Sequence, residues 1–301
     1  MTVLTAGWRA LPRQRLAVPA RWRNPVGIAG AIMVALVVCT ALFGDLLWTT
    51  DPNNPIYTRL LGPSWAHPMG TDDLGRDTLA RVIHGAQVSL SVGVIAVGIS
   101  LTAGLLIGLV ASFYRGFVDM LLMRLVDVVF AFPLLVLAIL IVGLLGASRR
   151  NAMIAIGIVY APAFARVIRG AALEVLGFPF IESARSLGAN DLRIMFRHVL
   201  PNIVAPVIVL TTVYFSQAIL GEAFLSFLGL GTQPPEAAWG NMLASARNFI
   251  EASVWMSVFP GLAIMFAVLG FNFLGDGLRD VLDPRLGGVA DEMVAGTTKQ
   301  V

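Results

Sequence analysis

Lysine is almost absent from this chain of 301 residues. Only one of its 21 basic residues is a lysine, Lys299, and it lies in the sequence GTTKQV near the end of the chain. A phosphate-binding P-loop needs a lysine directly after a glycine-rich turn. The sequence therefore excludes ATP binding of the Walker type, and we expect no cofactor in this chain.

Cysteine and histidine are also scarce. The single cysteine, Cys39, excludes an internal disulfide and a metal site built from several cysteines. It lies in the apolar run ALVVCTALF, where we expect a small buried hydrophobe. The three histidines, His67, His84 and His198, form no H-E-x-x-H motif. We therefore expect neither a metal site nor catalytic residues.

Charge is the third scarce feature. Charged residues make up 13% of the chain and hydrophobic residues 57%, and the mean hydropathy is +0.81. This composition is typical of helices that pack in a lipid bilayer. The net charge of +3 comes without an arginine cluster interleaved with stacking aromatics. We attribute the basic excess to membrane topology and expect no nucleic-acid partner.

Long apolar runs are what the sequence does contain. A helix needs about 20 predominantly apolar residues to cross a bilayer. Runs of roughly this length cover about 26–48, 88–111, 126–146, 151–168, 203–220 and 255–275. The first run is too long for the apolar part of a signal peptide, and no A-x-A cleavage site follows it. We predict an all-α integral membrane protein with six transmembrane helices.

The basic residues favour one orientation of these helices. Arginine and lysine concentrate in loops that stay in the cytoplasm. If the N-terminus is cytoplasmic, most basic residues fall on the cytoplasmic side, although Arg149 and Arg150 do not. Both termini are then cytoplasmic, and residues 49–87 and 221–254 form external loops. We expect short interfacial helices in both loops.

Some polar and small residues of the predicted spans can be given candidate roles. The ionisable residues near the spans lie close to predicted span ends, where water is available, and each is a candidate for contact with a substrate or ion. They are Asp45, Asp127, Glu222 and Asp276. In the second span, small residues recur every four positions and predict close helix packing. They are Ser100, Gly104, Gly108 and Ser112.

The sequence ESARSLGANDLRIMFRHVLPN, residues 182–202, is a polar interruption between the fourth and fifth spans. Its beginning, together with the preceding residues, predicts a short helix. Pro179 suits the first helical turn, and the helix dipole favours Glu182 in that turn. Gly188 can end the helix in the left-handed conformation.

A second short helix is predicted after Gly188. Asn190 or Asp191 can cap its N-terminus, and Pro201 ends it. Arg193 and Arg197 occupy one side, and an apolar stripe occupies the other. The stripe consists of Leu192, Met195, Phe196, Val199 and Leu200.

Physical reasoning leaves two interpretations of this two-helix element. It either rests on the bilayer surface as an amphipathic segment or docks on a soluble partner. Small residues at positions 183, 184 and 188 favour docking, because they allow a second surface to approach closely.

The same segment resembles the EAA loop of permease subunits in ATP-binding-cassette importers. That loop has the pattern E-A-A, three residues, G, nine residues and I-x-L-P. Here Glu182-Ser183-Ala184 precedes Gly188, and His198-Val199-Leu200-Pro201 follows after nine residues. Ser183 replaces the first alanine of the pattern, and His198 occupies the isoleucine position.

The resemblance covers nearly the whole chain. Residues 67–90, 224–243 and 274–286 are similar to the C-type permease of the peptide and nickel family of these importers, and the first span also fits that subunit. The resemblance implies a type I importer permease fold in the bacterial inner membrane. It also implies that the chain forms half of a translocation pathway that works by alternating access.

Partners and substrate also follow from the resemblance. It implies a homologous second permease, one or two cytoplasmic ATPase subunits that bind ATP and Mg²⁺, and an extracytoplasmic substrate-binding protein. It implies di- or oligopeptides as substrate, with nickel, haem or another small solute as alternatives. An ion-driven carrier with no ATPase is the competing class of transporter.

The resemblance finally implies site residues and a division of the chain. The coupling helix that contacts the ATPase involves Glu182, Ser183, Ala184, Arg185, Gly188, Ala189, Asp191 and Pro201. Candidates for the pathway and its external loops are Asp127, Glu222, Gln233 and Trp239. The expected parts are a cytoplasmic tail (1–25), the first helix with its loop (26–87), the permease domain (88–285) with its coupling loop (178–202), and a second tail (286–301).

Overall fold

The computed structural model describes residues 24–282, and this part of the chain consists of helices and turns with no β-strand. The tails predicted at 1–25 and 286–301 lie outside the described residues, apart from Asn24 and Pro25. In chain order the helices are α1 (Pro25–Leu47), α2 (Thr78–Tyr114), α3 (Gly116–Phe130), α4 (Leu134–Leu145), α5 (Arg149–Leu176), α6 (Pro179–Ser186), α7 (Asp191–Arg193), α8 (Val204–Phe227), α9 (Trp239–Ala246) and α10 (Trp255–Leu282).

Five of these helices are long and apolar enough to cross a membrane, namely α1, α2, α5, α8 and α10. Each covers one of the predicted spans to within a residue, and most continue well beyond it. For example, α2 starts ten residues before the predicted position 88, and α5 continues to Leu176. Consequently the two loops predicted to be external are shorter than expected and cover 48–77 and 228–254. An apolar run marks only the part of a helix that contacts lipid, so it does not detect polar turns at helix ends.

The third predicted span, 126–146, is not one continuous helix. It is replaced by α3 and α4, which meet at an angle of 89°. Pro133 explains the break, because it has no N–H to donate within a helix and it disfavours the helical conformation at Phe132. The helix therefore stops at Phe130 and restarts at Leu134.

Contacts at the helix ends define two ends of the bundle. At the loop end, which carries residues 48–77 and 228–254, the guanidinium of Arg81 donates to the Pro52 carbonyl at 2.9 Å, and Arg149 pairs with Glu236. At the opposite end, the α6 end, the guanidinium carbon of Arg185 lies 5.5 Å from the centre of the Phe113 ring.

These contacts show that α3 and α4 together make one crossing. Helix α2 starts at the loop end with Arg81 and finishes at the α6 end with Phe113. Helix α5 starts again at the loop end with Arg149. The chain between them must therefore return from the α6 end to the loop end, and α3 and α4 are the helices that lie there. With this bent pair the bundle has six crossings.

The centre of the bundle is the contact between α2 and α5. The hydroxyl of Ser100 donates to the Gly157 carbonyl at 2.8 Å. A Cβ atom on Gly104 would lie 2.3 Å from the Cβ of Phe164, so any larger residue would push the helices apart. Gly108 is similarly close to the α5 backbone. The stripe of small residues thus lies directly against α5 and lets the two backbones approach.

Helix α1 packs against α10 and leaves much of its surface exposed. Gly27 and Gly277 face each other where these two helices meet, and a Cβ atom on either would collide with the other. The expectation that Cys39 is buried is wrong, because this residue is exposed on α1. In a bilayer an apolar residue needs no protein cover, since lipid provides an apolar environment.

Candidate functional site

The polar element, residues 178–202, begins with the helix that the sequence predicts. Pro179 is at the first position of α6, and Glu182 lies in its first turn. At the other end Gly188 has a φ of +81°, the left-handed conformation in which glycine is favoured. The Gly188 N–H donates to the Arg185 carbonyl at 2.9 Å, and the Ala189 N–H donates to the Ala184 carbonyl at 3.0 Å. These two bonds form a Schellman motif, which ends the helix.

The second half of the polar element differs from the predicted amphipathic helix. Asn190 is the cap, since its side chain accepts from the Arg193 N–H at 2.9 Å. Only α7 is α-helical, and it continues as a π-helical turn from Ile194 to Val199 and a 3₁₀ turn from Leu200 to Asn202. Pro201 lies in this last turn, just before α8.

The predicted apolar stripe is only partly correct. Leu192 and Phe196 are exposed, whereas Ile194, Met195 and Val199 are buried in the main core. The π-helical turn is the reason, because its hydrogen bonds join residues five apart and it places residues 194 and 199 on the same face. Together with Ile181 of α6, these buried side chains fix the element to the bundle.

The outward surface of the polar element carries both charge and apolar groups. Glu182, Ser183, Arg185, Gly188 and Asp191 are exposed, whereas Ala184 and Ala189 are half-buried. The most exposed apolar side chains here are Leu187, which is 88% exposed, Leu192 and Phe196. Leu187 is not among the predicted site residues, although it directly precedes the predicted terminating glycine. A rigidly held surface with protruding apolar side chains is suited to contact with another protein.

The loop 48–77 is organised by a buried network of charges. The Asp72 carboxylate accepts from the Arg76 Nε at 2.6 Å and lies 3.5 Å from the Arg81 Nε. Asp77 caps α2 and contacts the His67 Nδ1 at 2.9 Å. The short helices expected in this loop are absent between residues 48 and 77. Its turns are instead held by side chains, and none of these residues is among the predicted site residues.

The loop 228–254 is fixed to α8 by Glu222. This residue is fully buried, so its expected access to water at a span end is wrong. Its Oε1 accepts from the Ser226 hydroxyl at 2.6 Å, and the Ser226 oxygen accepts from the Thr232 N–H at 2.9 Å. The other carboxylate oxygen, Oε2, is buried without a hydrogen-bond partner. Glu222 therefore holds the start of the loop against the helix.

The two candidates inside that loop have different environments. Gln233 is exposed, and its side chain donates to the carbonyls of Gly229 and Gly231. Trp239, at the start of α9, is buried and donates from its indole nitrogen to the Val82 carbonyl at 2.9 Å. Helix α9 is a short helix of the kind that was expected in this loop. Trp239 joins it to α2 within the bundle.

Asp127, the remaining pathway candidate, lies on α3. Its carboxylate accepts from the Arg166 Nη2 of α5 at 2.8 Å, and both side chains are about half-exposed. The polar element, the two loops and this ion pair are therefore separate features, spread along the length of the bundle.

The architecture described above is that of a helical membrane protein, and comparison with known families gives its class. The chain belongs to the family of binding-protein-dependent transport system inner membrane components, whose model matches residues 100–288. It is therefore an inner-membrane permease of the ATP-binding-cassette importer class.

Individual relatives of known function cover almost the full length. The dipeptide transport system permease protein DppC of Alkalihalophilus pseudofirmus is 45% identical over 269 residues, which cover 88% of this chain and 87% of the relative. The glutathione transport system permease protein GsiD of Pectobacterium atrosepticum is 43% identical, with coverage of 93% and 91%. The di/tripeptide permease protein DppC of Pseudomonas aeruginosa is 46% identical, with coverage of 87% and 89%.

A solved structure supports the fold independently. The inward-facing MetNI methionine ABC transporter contains a chain that aligns with a TM-score of 0.56 at 17% identity. The alignment covers 68% of this chain and 98% of that one. The predicted all-α fold of a type I importer permease is thereby confirmed.

Proposed function

We propose that this chain is the permease subunit of an ATP-driven importer and forms half of the translocation pathway for short peptides. The observation that carries the proposal is the identity of 43–46% over nearly the full length to permeases named for dipeptides, di/tripeptides and glutathione. These substrates share one chemistry, since each is a short peptide with charged groups at its ends.

In this proposal the polar element is the coupling helix that contacts a cytoplasmic ATPase subunit. Its outward surface, with Glu182, Arg185 and Leu187, supports this role, because the element is anchored by buried residues and protrudes from the bundle. ATP and Mg²⁺ bind in the ATPase subunits, of which there are one or two. The chain itself has no catalytic role and transmits the motion of the ATPase to its spans.

The other partners and the topology form the rest of the proposal. A homologous permease completes the pathway, and an extracytoplasmic binding protein delivers peptide to the loops 48–77 and 228–254. The α6 end and both termini are cytoplasmic. The permease domain covers about 88–285 and follows the first helix and its loop. Transport proceeds by alternating access, in which ATP binding shifts the assembly between inward-facing and outward-facing states.

Uptake by the assembled transporter tests this function. The complete complex in proteoliposomes is expected to import a labelled dipeptide when ATP and the binding protein are both present, and to stop when ATP is depleted. Uptake that survives ATP depletion but collapses with a protonophore would contradict an ATP-driven importer. Import of nickel or haem with no import of peptide would contradict the substrate.

A further inference from the structure

A groove of about 540 Å³ lies at the α6 end of the bundle, where α5 ends, α8 begins and α10 ends. Its volume falls in the range of about 300–1,000 Å³ that is usual for ligand sites. The longest part of its wall is apolar and belongs to α8, with Ala205, Pro206, Val209, Leu210 and Val213. Val213 is 38% exposed, so the wall reaches the outer surface of the chain.

The mouth of the groove carries two charges of opposite sign. Glu174 lies in the last turn of α5, and Arg279 lies in the last turn of α10. Both residues are exposed, and neither has an ion-pair partner among residues 24–282. An acid and a base that are not paired with each other can each bind a group of opposite charge on one ligand.

The beginning of α8 adds donors for an anion. The helix has no side-chain cap, and its N-cap residue is Ile203. The N–H groups of Val204 and Ala205 have no hydrogen-bond partner within the described part of the chain. Such N–H groups, together with the helix dipole, favour an anion. Because Ala205 and Arg279 line the same groove, both favour an anionic group there.

The apolar and charged parts of the groove follow the boundary of the bilayer. The wall from Ala205 to Val213 lies within the apolar run 203–220, which marks the part of α8 that contacts lipid. Glu174 lies beyond the run 151–168, and Arg279 lies beyond the run 255–275. A matching ligand is therefore apolar at bilayer depth and charged at the bilayer surface. A phospholipid has this construction.

We propose that this groove binds one molecule of phosphatidylethanolamine, with an acyl chain along α8. Arg279 binds the phosphate, to which a guanidinium donates paired hydrogen bonds, and the N–H groups at the start of α8 support the same phosphate. Glu174 accepts from the primary ammonium. A choline headgroup has no N–H to donate, and a glycerol headgroup has no positive charge, so lipids with these headgroups lack the Glu174 contact.

Protein occupants match the groove less well. The segment 283–301 follows Leu282, which lines the groove, but its longest stretch without charge, 293–298, contains two threonines. It therefore lacks an apolar group long enough for the wall. A second permease could cover the wall, but the two charges and the α8 N–H groups would still need partners. One phospholipid satisfies all three features, and it also packs against Phe178, the first residue of the polar element.

Lipid retention by the complete purified complex tests the proposal. The complex is equilibrated in detergent with equal amounts of phosphatidylethanolamine, phosphatidylcholine and phosphatidylglycerol, and bound lipid is identified by native mass spectrometry. We expect preferential retention of phosphatidylethanolamine. Loss of one charged hydrogen bond corresponds to about tenfold in binding. Arg279→Gln should therefore reduce retention of all three lipids about tenfold. Glu174→Gln should reduce the ratio of ethanolamine to choline lipid about tenfold and leave retention of the choline lipid constant.

The matched controls are exposed charges outside the groove. Arg124→Gln on α3 and Glu251→Gln in the loop 228–254 should change neither retention nor the lipid ratio. Val213→Trp fills the groove without removing a charge and should reduce retention of all three lipids, and thermal unfolding shows whether each complex keeps its fold. Equal retention by the unmodified complex and by Arg279→Gln and Glu174→Gln would overturn the proposal. So would an unmodified complex with no preference for phosphatidylethanolamine.

Thiol labelling decides whether lipid or protein covers the wall. In the complete complex with Cys39→Ala, Val213→Cys is treated with N-ethylmaleimide before and after delipidation. We expect reaction only after delipidation, and re-added phosphatidylethanolamine should slow it more than phosphatidylcholine does. Ile32→Cys on the exposed face of α1 is the control and should not distinguish the two lipids. If Val213→Cys stays unreactive after delipidation, the second permease or the segment 283–301 covers the wall, and the proposal fails. Neither measurement depends on transport, so both are independent of the proposed function.

Discussion

At the scale of single residues, the most informative side chains are polar groups that the bundle encloses. Glu222 is fully buried on α8, and it reaches the loop 228–254 through the Ser226 hydroxyl. A buried acceptor of this kind contributes to stability mainly because its buried donor would otherwise have no hydrogen-bond partner. The sequence indicated Glu222 as polar and near a span end but could not indicate burial, because the covering residues come from the following loop.

Removal of the Glu222 carboxylate should loosen the loop 228–254. Glu222→Ala leaves the Ser226 hydroxyl without its acceptor, so we expect a loss of about 1–3 kcal/mol in stability and faster proteolysis between 228 and 238. Glu222→Gln keeps an acceptor oxygen, so it should lose less stability than Glu222→Ala. Thermal unfolding and limited proteolysis of the purified complex measure both effects. The exposed Glu251→Gln is the control, and equal behaviour of Glu222→Ala and this control would contradict an anchoring role.

At the scale of elements, the polar element shows what a sequence can and cannot predict. The start of α6 at Pro179 and its end at Gly188 follow from local chemistry, and the structure has both. The burial pattern after Asn190 does not follow from local chemistry. A π-helical turn from Ile194 to Val199 has a different period from the α-helix that was assumed for the apolar stripe. The break before α4 was not predicted either. Pro133 is visible in the sequence, but the apolar run 126–146 around it is long enough to be read as one continuous span. Charge partners such as Arg166 and Asp127 are far apart in sequence and meet only through the fold.

The exposed tip of the polar element should determine ATPase binding. Leu187→Glu changes a side chain that is 88% exposed, so the fold of this chain should tolerate it within about 0.5 kcal/mol. Burial of a leucine in an interface is worth about 1.5–3 kcal/mol, and its replacement should weaken ATPase binding about tenfold or more. Co-purification of the ATPase subunit measures this change. Ile56→Glu in the loop 48–77 is equally a charged replacement of an exposed apolar residue, and it should leave ATPase binding intact. The coupling assignment fails if both variants retain the ATPase equally.

At the scale of the whole molecule, the two ends of the bundle are held together by different contacts. The loop end is fixed by buried charges, such as Asp72 with Arg76, and by the link from Arg81 to Pro52. At the other end the amide of Asn24 donates to Asp280 at 2.5 Å, which joins the start of α1 to the finish of α10. Six crossings place the start of α1 and the end of α10 on the same side, and this contact agrees with that count. The position of α6 relative to Phe113 assigns the polar element to the same side.

Labelling from each side of the membrane decides which end is cytoplasmic. In a Cys39→Ala background, Tyr114→Cys marks the α6 end and Ile56→Cys marks the loop end, and both positions are exposed. The bias of arginine towards the α6 side predicts that this side is cytoplasmic. A charged, impermeant thiol reagent should therefore reach Tyr114→Cys only in inside-out vesicles and Ile56→Cys only in right-side-out vesicles. The opposite result would invert the topology, and it would place the polar element beyond the reach of any cytoplasmic ATPase. Reaction of both cysteines from one side would contradict the crossing formed by α2, which separates the two positions.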